Sequence, residues 1–191
     1  MTAMTVDDTT QLPYGWTYEQ AKDLDLPYDW ELIDGVIVPR GMTTQWHDEV
    51  RDGLHFALRS TRAKPYATGV ERCTLLAEDT VLKPDVLVFD PTDLDFFEVE
   101  CLPVSAVSLC VEVVSHGSRA QDRLTKPGLY AQAGVPAFWR VERGSDDQPV
   151  VHEFRRDEKS GVYTPVTAHE GYLRTDFPFP ISIDLTALLQ L

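Results

Sequence analysis

The stretch 107–114, VSLCVEVV, decides the fold, because it is almost continuously apolar and carries a single acid, Glu112, near its end. A run of this kind is typical of a β-strand that is buried on both faces of a sheet. An ionised carboxylate placed there costs several kcal/mol unless a cation or hydrogen-bond donors compensate for it. The stretch therefore predicts a central strand and requires a partner for Glu112.

The sequence on both sides of this strand predicts the rest of a mixed α/β (α+β) fold. Apolar, β-rich runs at 72–76 and 82–89 precede it. A helical stretch from about 118 to 133 follows it and leads to another apolar strand at 137–141. Together these segments predict a strand–strand–helix–strand core.

An N-terminal hairpin and a helix precede the core. Residues 30–33 and 36–38 are apolar runs on either side of Asp34-Gly35, a dipeptide that supplies the positive φ angles of a type I′ turn. A short helix over 18–24 is expected before the hairpin. After it, Thr43 or Thr44 is placed to cap a helix that reaches about residue 60.

The C-terminal third predicts a β meander that extends the sheet, with apolar runs at 150–155, 162–166 and 181–191. The first twelve residues are polar and lack periodicity, so we expect residues 1–12 to form a disordered tail and residues 13–191 a single domain. No apolar run approaches the roughly 18 residues that a membrane helix needs, which argues against a membrane partner.

The charge balance weighs against contact with polyanions. The chain of 191 residues has 17 Lys and Arg against 31 Asp and Glu, a net charge of −14. Long-range electrostatics therefore repel nucleic acid and anionic membranes. A divalent cation held by carboxylates reverses the field locally, so the charge makes a nucleic-acid substrate less expected without excluding it.

The cysteine pattern predicts a reduced protein. Cys73, Cys101 and Cys110 are an odd number, and none belongs to a CxxC motif or to a Cys/His cluster with zinc-ligand spacing. We expect all three to behave as small buried apolar side chains in a cytoplasmic protein.

Two acids in this pattern point to a metal site. Asp85 opens a strand after Lys83-Pro84. Because side chains alternate between the two faces of a strand, Asp85 projects from the same face of its strand as Leu87, and Glu112 from the same face of its strand as Cys110. If both sides face the same layer, the carboxylates repel each other unless a hard cation such as Mg²⁺ or Mn²⁺ lies between them.

Simpler interpretations of the two acids stay open. Asp85 is also explained as a strand-start acid bonded to loop amides. Glu112 is also explained by an internal salt bridge with an arginine such as Arg119 or Arg123.

A lysine downstream is the candidate catalytic cation. Asp122, Lys126 and Tyr130 are four residues apart and line one face of a continuous helix. Lys126 could then orient an attacking water and stabilise charge on a phosphoryl oxygen. The alternative is an i,i+4 pair with Asp122 on a solvated face, and Tyr130 is explained by core packing alone. Pro127 disfavours α geometry at Lys126, so the helix is expected to kink or restart there.

These residues together resemble the Uma2-like (DUF820) family of the PD-(D/E)xK, restriction-endonuclease-like superfamily. The resemblance is carried by WELIDG at 30–35, His47, PDV at 84–86, VEVVS at 111–115, the trio Asp122, Lys126 and Tyr130, and AGVPAFW at 133–139. It implies a restriction-endonuclease-like core in which helices flank a central mixed sheet.

The resemblance also implies the site. Asp85 and Glu112 would be metal ligands, the Val113 carbonyl a third ligand, and Glu31 would complete the acidic pocket with His47 nearby. The chain departs from the E-x-K motif, because Val114 stands where the lysine is expected, and Lys126 is the candidate replacement. Bland alternatives are an exposed hairpin position for Glu31 and a helix-surface position for His47, stacked near Trp46 or paired with Arg51.

The expected function is hydrolysis of DNA phosphodiester bonds by a metal-activated water, in an endonuclease that depends on Mg²⁺ or Mn²⁺. Asp85, Glu112, Lys126, Glu31 and His47 are its expected catalytic residues. A homodimer is expected by analogy with two-strand cleavage in this fold. The alternative is a catalytically inactive module of the same fold that binds nucleic acid or protein, which the net charge, the missing E-x-K lysine and Pro127 favour.

Overall fold

The computed structural model describes residues 15–95, 97–115 and 120–189. The expected disordered tail at 1–12 lies outside these residues, as do His116 and Arg119, which was one candidate partner of Glu112. The division into a tail and a single domain stays a prediction.

Thirteen strands and three α-helices make up most of the described chain. The first seven strands are β1 (Trp30–Ile33), β2 (Val36–Pro39), β3 (Ala67–Val70), β4 (Thr74–Ala77), β5 (Thr80–Leu82), β6 (Val86–Phe89) and β7 (Leu102–Pro103). The remaining strands are β8 (Val107–Val113), β9 (Ala137–Arg143), β10 (Pro149–Arg156), β11 (Tyr163–Glu170), β12 (Tyr172–Thr175) and β13 (Ile181–Asp184). The helices are α1 (Tyr18–Ala21), α2 (Gln45–Thr61) and α3 (Lys126–Gln132), with a π-helical turn at Gln121–Thr125 and 3₁₀ turns at Val104–Ala106 and Leu185–Leu189.

A six-stranded mixed sheet in the order β11-β10-β9-β8-β6-β3 contains both predicted acidic strands. The central pair β8 and β9 is parallel, and the other neighbours are antiparallel. The predicted strand at 82–89 is divided: Leu82 ends β5 and Val86 begins β6. Pro84 lies between them and has no N–H group for a central ladder, which accounts for the break.

The register of β6 on β8 confirms the parity argument. Val86 pairs with Val111, and Leu87 pairs with Cys110. Val86 and Val111 belong to the apolar cluster on the α2 side of the sheet, whereas Leu87 and Cys110 belong to the cluster on the opposite side. Side chains alternate along a strand, so Asp85 and Glu112 both project to the side of Leu87 and Cys110.

A second sheet, in the order β2-β1-β5-β4-β7, holds the hairpin. The predicted type I′ turn is confirmed, because Asp34 and Gly35 have φ angles of 49° and 73°. A Cβ atom on Gly35 would lie 2.9 Å from the Gly15 Cα atom, so this position also needs glycine for close approach of the backbone. The hairpin carries Glu31 on β1.

Helix α2 begins and ends close to its predicted limits. The Thr44 side chain caps it by accepting a hydrogen bond from the His47 amide at 3.3 Å. Val50, Leu54 and Leu58 are buried against the six-stranded sheet, which is the stripe that the sequence spacing predicts. The cap and the stripe together fix His47 at the end of α2 nearest the acids.

The expectation that Lys126 avoids α geometry is wrong. Lys126 has helical φ and ψ angles of −60° and −44°, and its amide donates to the Gln121 carbonyl, five residues back. The chain passes from this wider turn directly into α3, in whose first turn Pro127 lies. Proline is tolerated in a first turn because its missing N–H would be unpaired there. The helix therefore restarts without turning Lys126 away.

The prediction of three reduced cysteines is wrong for two of them. Cys73 and Cys101 form a disulfide, and Cys110 is free and buried. The parallel pairing of β4 with β7 aligns Thr74 with Leu102 and so brings the two preceding cysteines side by side. Their separation of 28 residues conceals this neighbourhood in the sequence.

The predicted meander is partly correct. Strands β10 and β11 extend the six-stranded sheet, but β13 pairs with β12 in a separate two-stranded sheet. Strands β3, β7 and β12 were not predicted, because they are only two to four residues long and lack a clear alternation. None of the helices within the described ranges is long and apolar enough to cross a membrane.

Candidate functional site

The two predicted acids lie buried at one end of the six-stranded sheet. Glu112 is 1% exposed on β8, and Asp85 is 4% exposed immediately before β6. One Asp85 oxygen, Oδ2, accepts a hydrogen bond of 2.7 Å from the Val113 amide. The neighbouring strand therefore fixes the orientation of the Asp85 carboxylate.

Lys126 lies at the centre of the acids. Its Nζ atom is 3.2 Å from Glu31 Oε1, 3.2 Å from Glu112 Oε2 and 3.6 Å from Asp122 Oδ1. Burial alone lowers the pKa of Lys126, but the surrounding carboxylates, Glu112 first, outweigh it and hold the pKa above its usual value. Lys126 is therefore a charged ammonium group buried among carboxylates.

Glu112 has two partners, both from the helical segment. Its Oε2 atom faces Lys126, and its Oε1 atom accepts a 2.6 Å hydrogen bond from the Tyr130 hydroxyl. Burial raises the pKa of Glu112 well above its usual value, and the charge of Asp85 adds to this effect, whereas Lys126 opposes it. The net upward shift means that Lys126 only partly offsets the cost of an ionised Glu112 in this pocket.

His47 connects α2 to the acids. Its Nε2 atom is 3.3 Å from Asp85 Oδ2, and its Nδ1 atom is 3.2 Å from Asp48 Oδ1. Burial lowers the pKa of His47, but the hydrogen bond with Asp85 and the charge of Asp85 raise it more, so the net shift is upward. A second contact therefore holds the Asp85 side chain in place.

Arg40 is a second cation in the site, at the end of β2. Its NH1 atom is 3.0 Å from Asp29, and its NH2 atom is 3.4 Å from Glu71 and 3.5 Å from Asp85 Oδ1. The last distance is at the limit of a hydrogen bond. The guanidinium group therefore contacts only one oxygen of the Asp85 carboxylate and does not form a bidentate ion pair with it.

The acids of the site and their cationic partners border one open pocket of about 390 Å³. Its ionisable lining residues are Glu31, Arg40, His47, Asp85, Glu112, Asp122 and Lys126. The structure therefore brings together every side chain predicted for the site, and the Val113 backbone also lines the pocket.

The simpler interpretations of Glu31, His47 and Lys126 do not agree with the structure. Glu31 is 3% exposed and accepts a 2.9 Å hydrogen bond from the Lys83 amide, so it is not an exposed hairpin residue. His47 and Lys126 are buried, which excludes the helix-surface and solvated-face alternatives. Arg123, a candidate partner of Glu112, pairs with Glu142.

The donor chemistry of the pocket fits a hard divalent cation. Carboxylate and carbonyl oxygens are the ligands that Mg²⁺ and Mn²⁺ prefer, and Asp85, Glu112 and Glu31 supply them. Within residues 15–95, 97–115 and 120–189, however, no group of three or more His, Cys, Asp or Glu side chains has the arrangement of a complete metal site. The Lys126 ammonium group occupies the position between Glu31 and Glu112.

The fold of the chain is of the restriction-endonuclease-like class. The model of the Uma2 family, described as "Putative restriction endonuclease", matches residues 17–187, and the chain belongs to this family. A solved structure from Anabaena variabilis ATCC 29413, described as a "putative nuclease belonging to DUF820", matches with a TM-score of 0.65 and 19% identity over 91% of this chain and 97% of that chain. This likeness confirms the predicted fold. No curated protein matches the chain.

Sequence reasoning missed two contributors to the site. Tyr130 was assigned to the core, and it is fully buried, yet its hydroxyl binds Glu112. Its spacing of four from Lys126 was the available signal. Arg40 carries no such signal, because it follows the hairpin in a segment without periodicity.

Proposed function

We propose that the protein is an endonuclease that hydrolyses phosphodiester bonds of DNA and depends on Mg²⁺ or Mn²⁺. The observation that carries this proposal is the convergence of Asp85, Glu112 and Lys126 on one open pocket. The membership in the Uma2 family and the restriction-endonuclease-like fold support it.

The acidic residues would hold the cation. Asp85 and Glu112 would bind it through carboxylate oxygens, with Glu31 and the Val113 carbonyl completing the protein ligands. Once bound, the cation would lower the pKa of a coordinated water and stabilise negative charge on the phosphate. Four acids line the pocket against the two cations Lys126 and Arg40. This excess of carboxylates supports the assignment, since added positive charge relieves their mutual repulsion.

Lys126 would act on the attacking water and on the phosphate. A charged ammonium group has three donors. In the substrate-free protein Lys126 donates to Glu112 at 3.2 Å and forms an ion pair with Glu31, whereas Asp122 lies 3.6 Å away, beyond hydrogen-bond distance. A donor therefore remains for a water or a phosphate oxygen. A water within reach of the same Nζ atom would be oriented for in-line attack. The remaining carboxylate contacts would keep the amino group from moving out of the pocket.

Arg40 would bind the phosphate of the substrate. Its contacts to Glu71 and Asp85 are long, at 3.4 Å and 3.5 Å, whereas a phosphate offers a shorter bidentate arrangement to a guanidinium fork. Arg40 thus lies on the Asp85 side of the pocket and Lys126 on the Glu112 side. Two cations at separate positions would favour a bound phosphate between them.

His47 and Tyr130 would be positioning residues. His47 contacts Asp85, and Tyr130 contacts Glu112. Each keeps one carboxylate in a single orientation, as the outer partners of metal ligands usually do. A homodimer, in which two such sites act on opposite strands, is part of this proposal and is measurable by light scattering during gel filtration.

A second candidate function is a non-catalytic module of the same fold. The absence of a complete three-ligand arrangement among the described residues, with Lys126 between Glu31 and Glu112, favours it. In this case the lysine permanently replaces the cation as the counter-charge of the pocket.

One experiment separates the two candidates. Supercoiled plasmid and single-stranded DNA are incubated with the protein and Mg²⁺ or Mn²⁺, with and without EDTA, while calorimetry measures Mn²⁺ binding. Cleavage that EDTA abolishes supports the enzyme. No Mn²⁺ binding at millimolar concentration supports the module, and binding without cleavage of either DNA indicates a different phosphoester substrate.

A further inference from the structure

A second cavity, of about 480 Å³, lies near the C-terminal end of α2. His55 and Arg59 of α2 form one wall with Arg72, and the segment after β6 forms the other. We propose that this cavity binds a small organic anion that has an apolar body. The proposal does not depend on the proposed nuclease activity.

The lining of this cavity is positively charged in a strongly acidic protein. Its twelve lining residues include two arginines and no Asp or Glu, although the chain has 31 acids against 17 basic residues. Neither Arg59 nor Arg72 forms an ion pair with any carboxylate of the described ranges. An anionic ligand would supply the missing counter-charge.

Arg72 is held in place for such a contact. Its NH2 atom donates to the Val99 carbonyl at 2.8 Å, which leaves its other guanidinium donors for a ligand. A Cβ atom at Gly69 would lie 2.8 Å from the Arg72 Cγ atom, so the arginine stem packs directly across the glycine of β3. A guanidinium group fixed in this way loses little conformational entropy on binding.

The rest of the lining is apolar and determines the shape of the ligand. Its apolar members are Val70, Phe89, Pro91, Leu94, Phe97, Val99 and Leu102. The Phe97 side chain is 91% exposed, so contact with the apolar body of a ligand would remove apolar surface from water. The volume also falls within the range of about 300–1,000 Å³ that is typical of small-molecule sites.

The surroundings of the cavity select against a polyanion. Asp93, Asp95 and Glu98 alternate with the apolar lining residues of this segment, are exposed, and do not line the cavity. A nucleic acid strand lying along this segment would therefore meet these carboxylates, whereas a small anion inside the cavity would meet the two arginines. Charge complementarity thus favours a small ligand over DNA or RNA.

Two polar atoms of the cavity lining, one on α2 and one on β3, also lack hydrogen-bond partners within the described ranges. His55 Nε2 and Thr68 Oγ1 are buried without a hydrogen-bond partner among the described residues, which is rare for buried polar atoms. Burial and the nearby Arg59 lower the pKa of His55, so its ring is neutral at pH 7 and can accept a hydrogen bond. A ligand that brings a hydroxyl donor or a bridging water would pair these atoms.

The test uses a fluorescent anion and matched competitors on the full chain. Anilinonaphthalene sulfonate, which joins a sulfonate to an aromatic body, is titrated into the protein, and decanoate, decanol and decyltrimethylammonium then compete for it. We expect saturable binding that decanoate displaces at least about tenfold more effectively than either competitor without a negative charge, because an ionic hydrogen bond to arginine is worth about that factor.

Substitutions of exposed arginines test whether the anion binds in this cavity. Arg59→Met should weaken decanoate binding about tenfold, Arg59→Lys should weaken it less, and Arg62→Met should leave it unchanged, since Arg62 is on the same helix end but outside the cavity lining. A short oligonucleotide should not compete. The proposal is overturned if the probe does not bind, if decanol or the cation competes as well as decanoate, if the oligonucleotide competes, or if Arg59→Met and Arg62→Met behave alike.

Discussion

The acidic pocket and the second cavity lie toward opposite ends of α2 and have opposite charge balances in their linings. In the acidic pocket near His47, the resident cations Lys126 and Arg40 contact carboxylates. In the second cavity near Arg59, arginines line the wall and no acid does. His47 and Arg59 are twelve residues apart, which is about 18 Å along the helix at about 1.5 Å per residue.

The difference shows why net charge is a poor guide to ligands. The overall value of −14 argues against any anionic partner, yet each cavity presents its own local field because nearby charges dominate over distant, screened ones. In the proposed function, a bound cation would add the positive charge that lets the acidic pocket accept a phosphate. The second cavity is positive before any ligand binds.

The largest expected effect is loss of cleavage when the acidic pocket loses a ligand. Glu112→Ala should reduce cleavage of plasmid DNA by about 10³-fold or more, because the cation-assisted stabilisation of the transition state is removed. Circular dichroism should show the wild-type fold. Glu142→Ala, the same substitution on β9 and outside the pocket lining, should keep activity, and full metal-dependent cleavage by Glu112→Ala would overturn the site assignment.

Removing the resident cation should destabilise the pocket. Lys126→Met leaves Glu31, Glu112 and Asp122 buried without their shared ammonium partner, so the free energy of unfolding in urea should fall by about 3–5 kcal/mol. Saturating Mn²⁺ should restore more stability to this variant than to the wild-type protein.

The control for this measurement is Lys83→Met, which removes a more exposed lysine paired with Asp29. Lys83→Met should change the free energy of unfolding by no more than about 1 kcal/mol. If Lys126→Met is no less stable than Lys83→Met, then the ammonium group does not balance the buried acids.

Removing Arg40 should separate metal binding from substrate binding. Arg40→Ala takes a positive charge from beside Asp85, so Mn²⁺ should bind about tenfold more tightly by calorimetry. The KM for DNA should rise about tenfold while kcat changes less, because the phosphate contact is lost. Arg51→Ala is the control, since Arg51 contacts Glu71 but does not line the pocket. Unchanged Mn²⁺ affinity in Arg40→Ala would contradict this role.

The smallest expected effect is a pH dependence from the second cavity. The lowered pKa of His55 means that the unfolded chain takes up a proton before the folded protein does. The contribution of the neutral His55 ring to the free energy of unfolding is therefore fully present above the ordinary histidine pKa of about 6.5. It is lost as the pH falls below that pKa.

Urea unfolding at several pH values from 5 to 8 should show this loss in the wild-type protein and a weaker one in His55→Gln. His152 also has a lowered pKa, so the comparison must be made between the two proteins at each pH. Identical pH profiles would show that the His55 environment does not disfavour its charged form.

Much of the fold was predictable because its signals are local. Asp34-Gly35 specifies a two-residue turn through its backbone preferences, and the 107–114 run specifies a buried strand through its composition. The stripe of Val50, Leu54 and Leu58 does the same for α2. Strands such as β7 escaped prediction because two residues carry no period.

The site was predictable only as a set of candidates. The sequence indicated Asp85, Glu112 and Lys126, since acids and a lysine in or near apolar elements need an explanation. It did not show that Tyr130 bonds to Glu112 or that Arg40 reaches Asp85. It also predicted reduced thiols where Cys73 and Cys101 are joined, because only strand pairing reveals that they are neighbours.

The sequence by itself determined the order of the elements, the buried strand with its acid and the family to which the chain belongs. The tertiary structure alone decided which side chains meet: it placed Lys126 among three carboxylates and kept acids out of the second cavity. The physical reason is how far apart along the chain the interacting residues lie. Turns and periodicities depend on neighbours along the chain, whereas ion pairs and cavities depend on register and packing between segments far apart in it.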